Sequence, residues 1–222
     1  AQHGSCTSSA HSVVDRGGAV ADPSDKTYIS PSYRPAQSPK KAPCQESCPN
    51  CGDIRGWIGL VAQREKTGTP REEAYAKAWR TITDVNPFPA TLGRICPHPC
   101  ESHCNRGELD EPLAINAMER FLGDFAIEAG LPLPRSRSNK AVESIGVVGA
   151  GPSGLSFSYQ MSRRGYHVTV YDGREKPGGM LRYGVPDYRL PPAVLDAEIR
   201  RIVDLGVKLE MNTAIGQDVS LD

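Results

Sequence analysis

The pattern of apolar and polar positions changes near the middle of the chain, from helical periodicity to short apolar runs. Up to residue 130, apolar residues recur three or four positions apart in three segments, which predicts three amphipathic helices. The helices are predicted to begin after Asp53 as N-cap, after a capping box over Thr69–Glu72, and at Pro112; the second ends at Asn86-Pro87 and the third near Gly130. An all-helical domain is therefore predicted over residues 43–130.

From residue 143 the chain alternates strands and helices. The predicted order is strand Ser144–Val148, helix Pro152–Arg164, strand His167–Tyr171, helix Pro192–Leu205 and strand Val207–Met211. A strand, a helix and a second strand in this order form a β-α-β unit, which predicts a Rossmann-like α/β domain over residues 143–222. Residues 131–142 have the Pro, Ser and basic composition of a linker. Residues 1–42, rich in Ser, Pro, Gly and Lys, predict an extended or disordered arm.

The amino-acid composition excludes some classes of binding partner and indicates the cellular compartment. The 26 basic and 26 acidic residues leave a formal net charge of zero, which argues against binding nucleic acid or an anionic membrane through bulk charge. No run approaches the roughly 18 apolar residues of a membrane span, and the N-terminus lacks the basic and apolar regions of a signal peptide. A cytoplasmic location is expected, where seven cysteines indicate metal or redox chemistry rather than disulfides.

Six cysteines fall in two groups with the spacing of metal ligands. The first group is Cys44, Cys48 and Cys51, and the second is Cys96, Cys100 and Cys104. If the second group is helical, Cys100 and Cys104 lie on one face and their sulfurs converge. Structural zinc sites usually use paired C-x2-C knuckles, and only Cys48 with Cys51 makes one. Iron–sulfur clusters accept more varied spacing, often with a proline after a ligand, so they are favoured and zinc remains an alternative.

Glu119 is a carboxylate on a helix face that is predicted to be buried. The third helix places it between Ile115 and Leu122. It needs a partner there, because an unpaired buried charge is costly. That partner is either an arginine, such as Arg94 or Arg106, or a metal held together with the cysteines. Alternatively, Glu119 lies at the edge of the apolar face and is solvated by water. Seven cysteines and one carboxylate give eight ligands, the number that two 4Fe-4S clusters require.

A glycine-rich turn joins the first predicted strand to the next helix. Its sequence is Gly149-Ala150-Gly151-Pro152-Ser153-Gly154, and Asp172 closes the second strand. In such a fingerprint Gly149 makes the tight turn, Gly151 admits a pyrophosphate, and Gly154 allows close contact of helix and sheet. Asp172 would accept a hydrogen bond from a ribose hydroxyl. The fingerprint does not separate FAD from NAD(P), but the later Gly178-Gly179 pair, where a loop must approach a flat ligand, favours FAD.

Five motifs in a fixed order make the chain resemble a family of iron–sulfur flavoproteins. They are Cys44-x3-Cys48-Pro49, NPFPATLGRICPHPCESHC from Asn86, PLAINAMERF from Pro112, GAGPSGL from Gly149, and PGGMLRYGVPDYRLP from Pro177. The family includes the small subunit of NADPH-dependent glutamate synthase, the N-terminal half of dihydropyrimidine dehydrogenase, and the large subunit of NADH-dependent ferredoxin:NADP oxidoreductase. The resemblance extends from about residue 42 to the C-terminus.

The resemblance implies a helical domain with two 4Fe-4S clusters, followed by an FAD-binding domain of the glutathione reductase type. An inner cluster would be held by Cys48, Cys96, Cys100 and Glu119, and an outer cluster by Cys44 and Cys104. The family has two further outer ligands upstream, which this chain lacks. Either Cys51, the nearest substitute, and Cys6, a remote one, replace them or only one cluster is present, and two clusters are favoured. The residues implicated in FAD binding are Gly151, Pro152, Ser153, Asp172, Gly179, Met180 and Arg189.

The implied function is electron transfer in an NAD(P)H-dependent oxidoreductase. FAD would exchange two electrons with NAD(P)H, and the clusters would pass them singly to a larger redox subunit or an electron-acceptor protein. No catalytic acid, base or nucleophile is expected. The family continues beyond the last predicted strand into the rest of the FAD domain and a second, NAD(P)H-binding domain. The chain is therefore expected to be a fragment, or to be completed by another polypeptide. The alternatives are the glutamate synthase small subunit itself and a zinc-stabilised docking module with a vestigial nucleotide fold.

Overall fold

Helices form wherever the sequence has helical periodicity, and several short ones occur where it has none. The computed structural model describes residues 41–134 and 143–220. Within these residues the helices are α1 (Pro43–Ser47), α2 (Ile54–Ala62), α3 (Arg71–Thr83), α4 (Pro89–Ile95), α5 (Pro99–Ser102), α6 (Ile115–Glu128), α7 (Pro152–Arg163), α8 (Met180–Tyr183) and α9 (Pro192–Val203), with a 3-10 turn at Asn105–Glu108. The strands are β1 (Ser144–Val148), β2 (His167–Asp172) and β3 (Lys208–Met211). A helical region followed by a small Rossmann-like part is confirmed.

The three predicted starts of the helices in the helical part differ in outcome. At α2, the Asp53 side chain accepts a hydrogen bond from the Gly56 N–H at 2.9 Å, as an N-cap does. At α3, the predicted capping box does not form, because the helix begins at Arg71 with Pro70 as its N-cap. Thr69 therefore lies one residue too early to cap, and its hydroxyl pairs with that of Thr67 at 2.8 Å. The third predicted helix, α6, begins at Ile115 rather than at Pro112.

The three strands form a parallel sheet in the order β1-β2-β3. In the register, Ser144 of β1 faces His167 of β2, and Thr169 of β2 faces Lys208 of β3. Helix α7 connects β1 to β2 and packs against both strands. The chain therefore folds here as the predicted β-α-β unit, with α9 leading into a third parallel strand.

Helices α4 and α6 contact each other through two glycines. A Cβ on Gly123 of α6 would lie 2.6 Å from the Cα of Ala90, and one on Gly93 of α4 would lie 2.5 Å from the Cα of Arg120. Real Cβ atoms do not approach backbone atoms so closely, so only glycine permits this distance between the helices. The contact brings the end of α4, which leads into Cys96, beside the turn of α6 that carries Glu119.

The helical and Rossmann-like parts share one hydrophobic core. Trp79 and Phe88 from the helical part pack in the same cluster as Leu155, Tyr159 and other residues of the Rossmann-like part. Polar contacts reinforce the junction: the Tyr159 hydroxyl donates to the Thr83 carbonyl at 2.6 Å. Residues from Pro43 onward form one compact unit. The predicted domain boundaries stay a prediction, since residues 135–142 of the linker and residues 1–40 of the arm, including Cys6, lie outside the described residues.

None of the helices in the described part of the chain has the length and apolar character needed to cross a membrane.

Candidate functional site

Short helices and turns position the cysteines of the two groups. Cys44 lies in α1 and Cys48 directly follows it. Cys96 caps the C-terminus of α4, where its N–H donates to the Leu92 carbonyl at 2.9 Å. Next, the left-handed backbone of His98 (φ 44°) turns the chain, and its N–H donates to the Cys96 sulfur at 3.3 Å. This turn leads into α5, which holds Cys100 in the core with 7% of its surface exposed.

Cys100 and Cys104 lie in different surroundings. Burial, and then the nearby Cys48, raise the pKa of the Cys100 thiol to about 12, and Glu101 and Cys96 add to the effect. The pKa of Cys104 is instead lowered, chiefly by the nearby backbone of Leu113 and Arg106. Cys100 thus lies near Cys48 and Cys96, whereas Cys104 has Cys44 as its neighbour among the cysteines.

The prediction that Cys100 and Cys104 share a helix face is wrong. Helix α5 ends at Ser102, and Cys104 has an extended backbone (φ −73°, ψ 118°) before the 3-10 turn. A continuous helix through both residues is therefore absent, and the two sulfurs face different neighbours.

Cys51 follows the first group in a left-handed conformation with φ 50°. Its N–H donates to the Cys48 carbonyl at 2.8 Å, which closes a tight turn after that residue. The free cysteines among the described residues are Cys44, Cys48, Cys96, Cys100 and Cys104, and Cys51 is disulfide-bonded. Its role as a cluster ligand stays a prediction that applies to the reduced thiol only.

Glu119 lies near Cys96, and its hydrogen-bond partner is an amide. The side chain of Asn86 donates to its Oε1 at 2.8 Å. Burial raises the pKa of Glu119 to about 7, and this hydrogen bond opposes the shift. The Glu119 carboxylate is also close enough to raise the pKa of the Cys96 thiol, after the larger effect of burial.

The two arginines proposed as partners of Glu119 are engaged elsewhere. Arg94 forms a bidentate pair with Asp124 at 2.8 and 2.9 Å. Arg106 pairs with Asp110, four residues later, at 2.9 and 2.6 Å. Neither arginine is therefore the partner of Glu119 in the structure.

The donor set fits an iron–sulfur cluster better than a single ion. Among residues 41–134 and 143–220, no group of three His, Cys, Asp or Glu side chains converges closely enough to hold one metal ion. A four-iron cluster bonds each ligand through a different iron, so its ligands stand further apart than those around zinc. Cys48, Cys96, Cys100 and Glu119 lie near one another in this looser way, since, besides burial, Glu119 and Cys48 both raise the pKa of Cys96, and Cys48 and Cys96 both raise that of Cys100.

The glycine-rich turn has the geometry of a dinucleotide cradle. Gly149 has φ 97°, and its N–H donates to the Tyr171 carbonyl of β2 at 2.8 Å. A Cβ on Gly154 would collide with the Gly149 carbonyl oxygen, so the third glycine allows α7 to approach the strand. Gly179 (φ 50°) lies against the same turn, where a Cβ would come within 2.7 Å of the Gly151 Cα. Pro152 and Ser153 open α7 below this cradle, so the helix N-terminus faces the pyrophosphate position of the fingerprint.

The remaining predicted dinucleotide residues border the cradle or the junction with the helical part. Asp172 ends β2 and accepts hydrogen bonds from the N–H groups of Ala150 at 2.7 Å and Arg174 at 2.8 Å. Each of its oxygens has a second lone pair with which to accept a ribose hydroxyl. Met180 is 71% exposed in α8. The Nε of Arg189 donates to the Arg94 carbonyl at 3.3 Å, which links the loop after α8 to α4.

Glu198 is a junction residue that the sequence reasoning missed. Its carboxylate is 1% exposed and accepts from the N–H groups of Ala90 at 2.7 Å and Thr91 at 2.9 Å. Burial raises its pKa to about 7. It stands three positions after Leu195 on the apolar face of α9, so the helical-wheel argument that identified Glu119 could have found it. Asn86 was interpreted only as a helix stop and carried no signal for its contact with Glu119.

A group of thiols around the buried Cys100, with one carboxylate beside them, occurs in the same compact unit as a glycine-rich Rossmann turn, and this combination indicates an iron–sulfur protein that binds a dinucleotide. The comparisons with known families agree. Residues 24–131 match the family model of dihydropyrimidine dehydrogenase domain II, 4Fe-4S cluster. Residues 147–207 match that of an NAD(P)-binding Rossmann-like domain. Residues 24–131 are thus similar to a 4Fe-4S domain of the dihydropyrimidine dehydrogenase type and residues 147–207 to a dinucleotide-binding domain, and the resemblance drawn from the motifs is confirmed.

Curated relatives have the same combination within longer chains. The beta subunit of the NADP(+)-dependent formate dehydrogenase of Moorella thermoacetica is 35% identical over 94% of this chain and 30% of its own length. The NAD-dependent dihydropyrimidine dehydrogenase subunit PreT of Escherichia coli is 36% identical over 82% of this chain and 42% of its own length. The NADH glutamate synthase of Schizosaccharomyces pombe is 33% identical over 81% of this chain and 8% of its own length. The chain therefore spans less than half of the relatives it matches.

Proposed function

We propose that the chain is the part of an NAD(P)H-dependent oxidoreductase that carries the iron–sulfur clusters and FAD, and that it passes electrons between NAD(P)H and a larger redox subunit or acceptor protein. The observation that carries the proposal is the assembly of Cys48, Cys96, Cys100 and Glu119 in a helical part that belongs to the same compact unit as the glycine-rich cradle. The relatives named above are NAD(P)-linked dehydrogenase or synthase chains, which supports this role.

The protein's contribution is to hold and space the cofactors. When bound, the clusters and flavin supply one- and two-electron redox chemistry. Cys48, Cys96, Cys100 and Glu119 would hold the inner cluster in buried surroundings. The N–H of His98 donates to the Cys96 sulfur, and such bonds tune the reduction potential of a cluster. For an outer cluster, Cys44 and Cys104 would be two of the ligands.

FAD is the dinucleotide that we assign to the cradle, with a fold of the glutathione reductase type. Asp172 at the end of β2 suits an unphosphorylated ribose, as FAD and NAD have, and would repel the 2′-phosphate of NADP. The Gly178-Gly179 loop presses on Gly151, and Gly178 N–H donates to the Ala150 carbonyl at 2.7 Å. This second loop adds a wall to the cradle that a resident, tightly held cofactor would use. NAD(P)H would then act as the co-substrate of the complete protein.

Cofactor analysis of the anaerobically purified chain tests the proposal. We expect a brown iron–sulfur absorbance, iron and acid-labile sulfide in equal amounts, and FAD released by heat denaturation. Stoichiometric zinc without sulfide would support the docking-module alternative and end the proposal. NAD(P) in place of FAD would overturn the flavin assignment alone.

Replacing the carboxylate ligand should remove iron. In Glu119→Ala we expect the loss of one cluster, about four irons per chain, because the inner site keeps three ligands of four. Iron and sulfide counts and the EPR spectrum of the reduced protein measure the effect. Glu128→Ala, an exposed glutamate in the last turn of the same helix, is the matched control and should keep wild-type iron. Unchanged iron and EPR in Glu119→Ala would remove Glu119 from the ligand set.

The Gly179 contact should be needed for the flavin. In Gly179→Ala we expect a loss of FAD affinity of about tenfold or more, because a left-handed backbone costs a residue with a Cβ roughly 1–2 kcal/mol and this Cβ also meets the Gly151 Cα. FAD per chain after desalting measures the effect. The control is Gly130→Ala, which has a similar φ of 61° but nothing within 4 Å of the added carbon. Equal FAD retention in both variants would contradict the assigned cradle.

A further inference from the structure

Both polar atoms of the Asn86 side-chain amide form hydrogen bonds, and the residue is buried. It is 4% exposed, at the turn between α3 and α4. Its Oδ1 accepts from the Phe88 N–H at 2.9 Å, and its Nδ2 donates to Oε1 of Glu119 at 2.8 Å. The first bond shapes the turn that opens α4. The second crosses to another helix, 33 residues along the chain.

We propose that Asn86 is the positioning residue for the carboxylate ligand: by holding Oε1 of Glu119, it leaves Oε2 as the single oxygen that faces the cluster cysteines. The inference rests on the proposed ligand role of Glu119. It extends that role by assigning which oxygen binds and what fixes it.

The geometry gives the reason for such a residue. A carboxylate has two equivalent oxygens and a side chain with three rotatable bonds, whereas a thiolate presents one sulfur on a short stem. Without a donor on Oε1, Glu119 could turn or bind through both oxygens. Partners of this kind, which orient a metal ligand through its other polar atom, commonly affect metal affinity by about 10–100-fold.

The backbone also fixes the relative placement of the two residues. Asn86 stands just before α4, Glu119 lies on α6, and the glycine contact at Gly93 and Gly123 holds these helices at one distance. The donor therefore reaches Oε1 from a rigid frame. A hydrogen bond between two independently moving surface side chains would not orient a ligand in this way.

A single substitution separates the orienting bond from the structural one. Asn86→Asp keeps an oxygen to accept from the Phe88 N–H but replaces the donor to Glu119 with a second acceptor. The double variant Asn86→Asp with Glu119→Gln exchanges the roles: the Gln amide donates to Asp, and its oxygen remains for iron. The matched reference is Glu119→Gln alone, in which both partners are amides.

The readouts are the rate of iron release to a chelator and the EPR spectrum of the reduced cluster, with the full chain loaded anaerobically. We expect Asn86→Asp to release iron about tenfold faster or more, with an altered EPR spectrum. The double variant should return to within about threefold of the wild-type rate. Circular dichroism confirms that each variant is folded.

The outcomes separate this inference from the proposed function. If Glu119→Ala alters the cluster while Asn86→Asp releases iron at the wild-type rate, Asn86 only shapes the turn and the inference is overturned. Failure of the double variant to recover, with the fold retained, overturns it as well. If Glu119→Ala itself leaves the cluster unchanged, the ligand assignment fails and the role of Asn86 fails with it.

Discussion

Replacing Gly123 with alanine is expected to destabilise the protein by about 3 kcal/mol and to deplete its iron. The added carbon would lie 2.6 Å from the Cα of Ala90 and closer still to its backbone nitrogen. Backbone atoms cannot step aside as a flexible side chain does, so α4 and α6 must move apart, and overpacking of this kind costs up to about 3 kcal/mol. For a chain of this size that loss lowers the melting temperature by roughly 6–12 °C.

The effect on iron follows from what the two helices carry. Cys96 stands at the end of α4 and Glu119 on α6, so separating the helices would pull apart two of the ligands proposed for the inner cluster. Iron per chain and the thermal midpoint are the measurements. The control is Gly59→Ala in α2, where nothing lies within 4 Å of the added carbon and alanine favours the helix by about 0.5–1 kcal/mol. A Gly123→Ala protein with wild-type iron and stability would show that the helices tolerate a wider separation.

Glu198→Ala is expected to cost about 3 kcal/mol. The change leaves the buried N–H groups of Ala90 and Thr91 without their acceptor, and an unsatisfied buried polar group costs about 1–3 kcal/mol. Thermal unfolding of the full chain measures the loss. Glu73→Ala, which removes an exposed surface pair with Lys77, should change stability by less than about 0.5 kcal/mol. Similar thermal midpoints for the two variants would show that the hydrogen bonds from Ala90 and Thr91 to Glu198 contribute little to stability.

The contribution of Glu198 should also depend on pH. Burial raises the pKa of this carboxyl from its ordinary value of 4.5 to about 7, so the folded protein retains a proton that the unfolded chain has lost in this range. A raised carboxyl pKa stabilises the fold most below the ordinary value and loses that effect as the pH rises through the raised value. The stability gap between wild type and Glu198→Ala should therefore narrow from pH 5 to pH 8. A gap that widens would mean that the fold favours the ionised carboxylate.

The sequence predicted the long elements because their signals are local. Helices α2 and α9, the strands and the Asp53 cap depend on periodicity and on residues a few positions apart. Helix α4 escaped prediction because seven residues bounded by Pro89 and Cys96 are too few for periodicity to show. The capping box predicted at Thr69 fails for a similar reason. The helix begins one residue later than predicted, with Pro70 in the N-cap position, and sequence patterns do not locate a helix end to a single residue.

The sequence proposed residues for the candidate site but gave no information on its internal contacts. Spacing and resemblance proposed the cysteines and a helical wheel proposed Glu119, and the structure brings Cys48, Cys96, Cys100 and Glu119 near one another. The split between Cys100 and Cys104 depends on where a four-residue helix ends. The bonds from Asn86 to Glu119 and from Glu198 to α4 join residues 33 and more than 100 positions apart, which only the folded chain brings together.

The shared core also bears on how fast electrons could move. Trp79, Phe88 and Tyr159 pack across the junction. Helix α4 is hydrogen-bonded to Glu198 at its N-terminus and ends at Cys96. The span from the glycine cradle to the buried cysteines is therefore fixed by side-chain contacts and does not depend on the connecting segment. Electron tunnelling slows steeply as the gap between two centres widens. A gap fixed by a close-packed interior gives every molecule nearly the same tunnelling rate, with no search for a productive encounter between two tethered bodies.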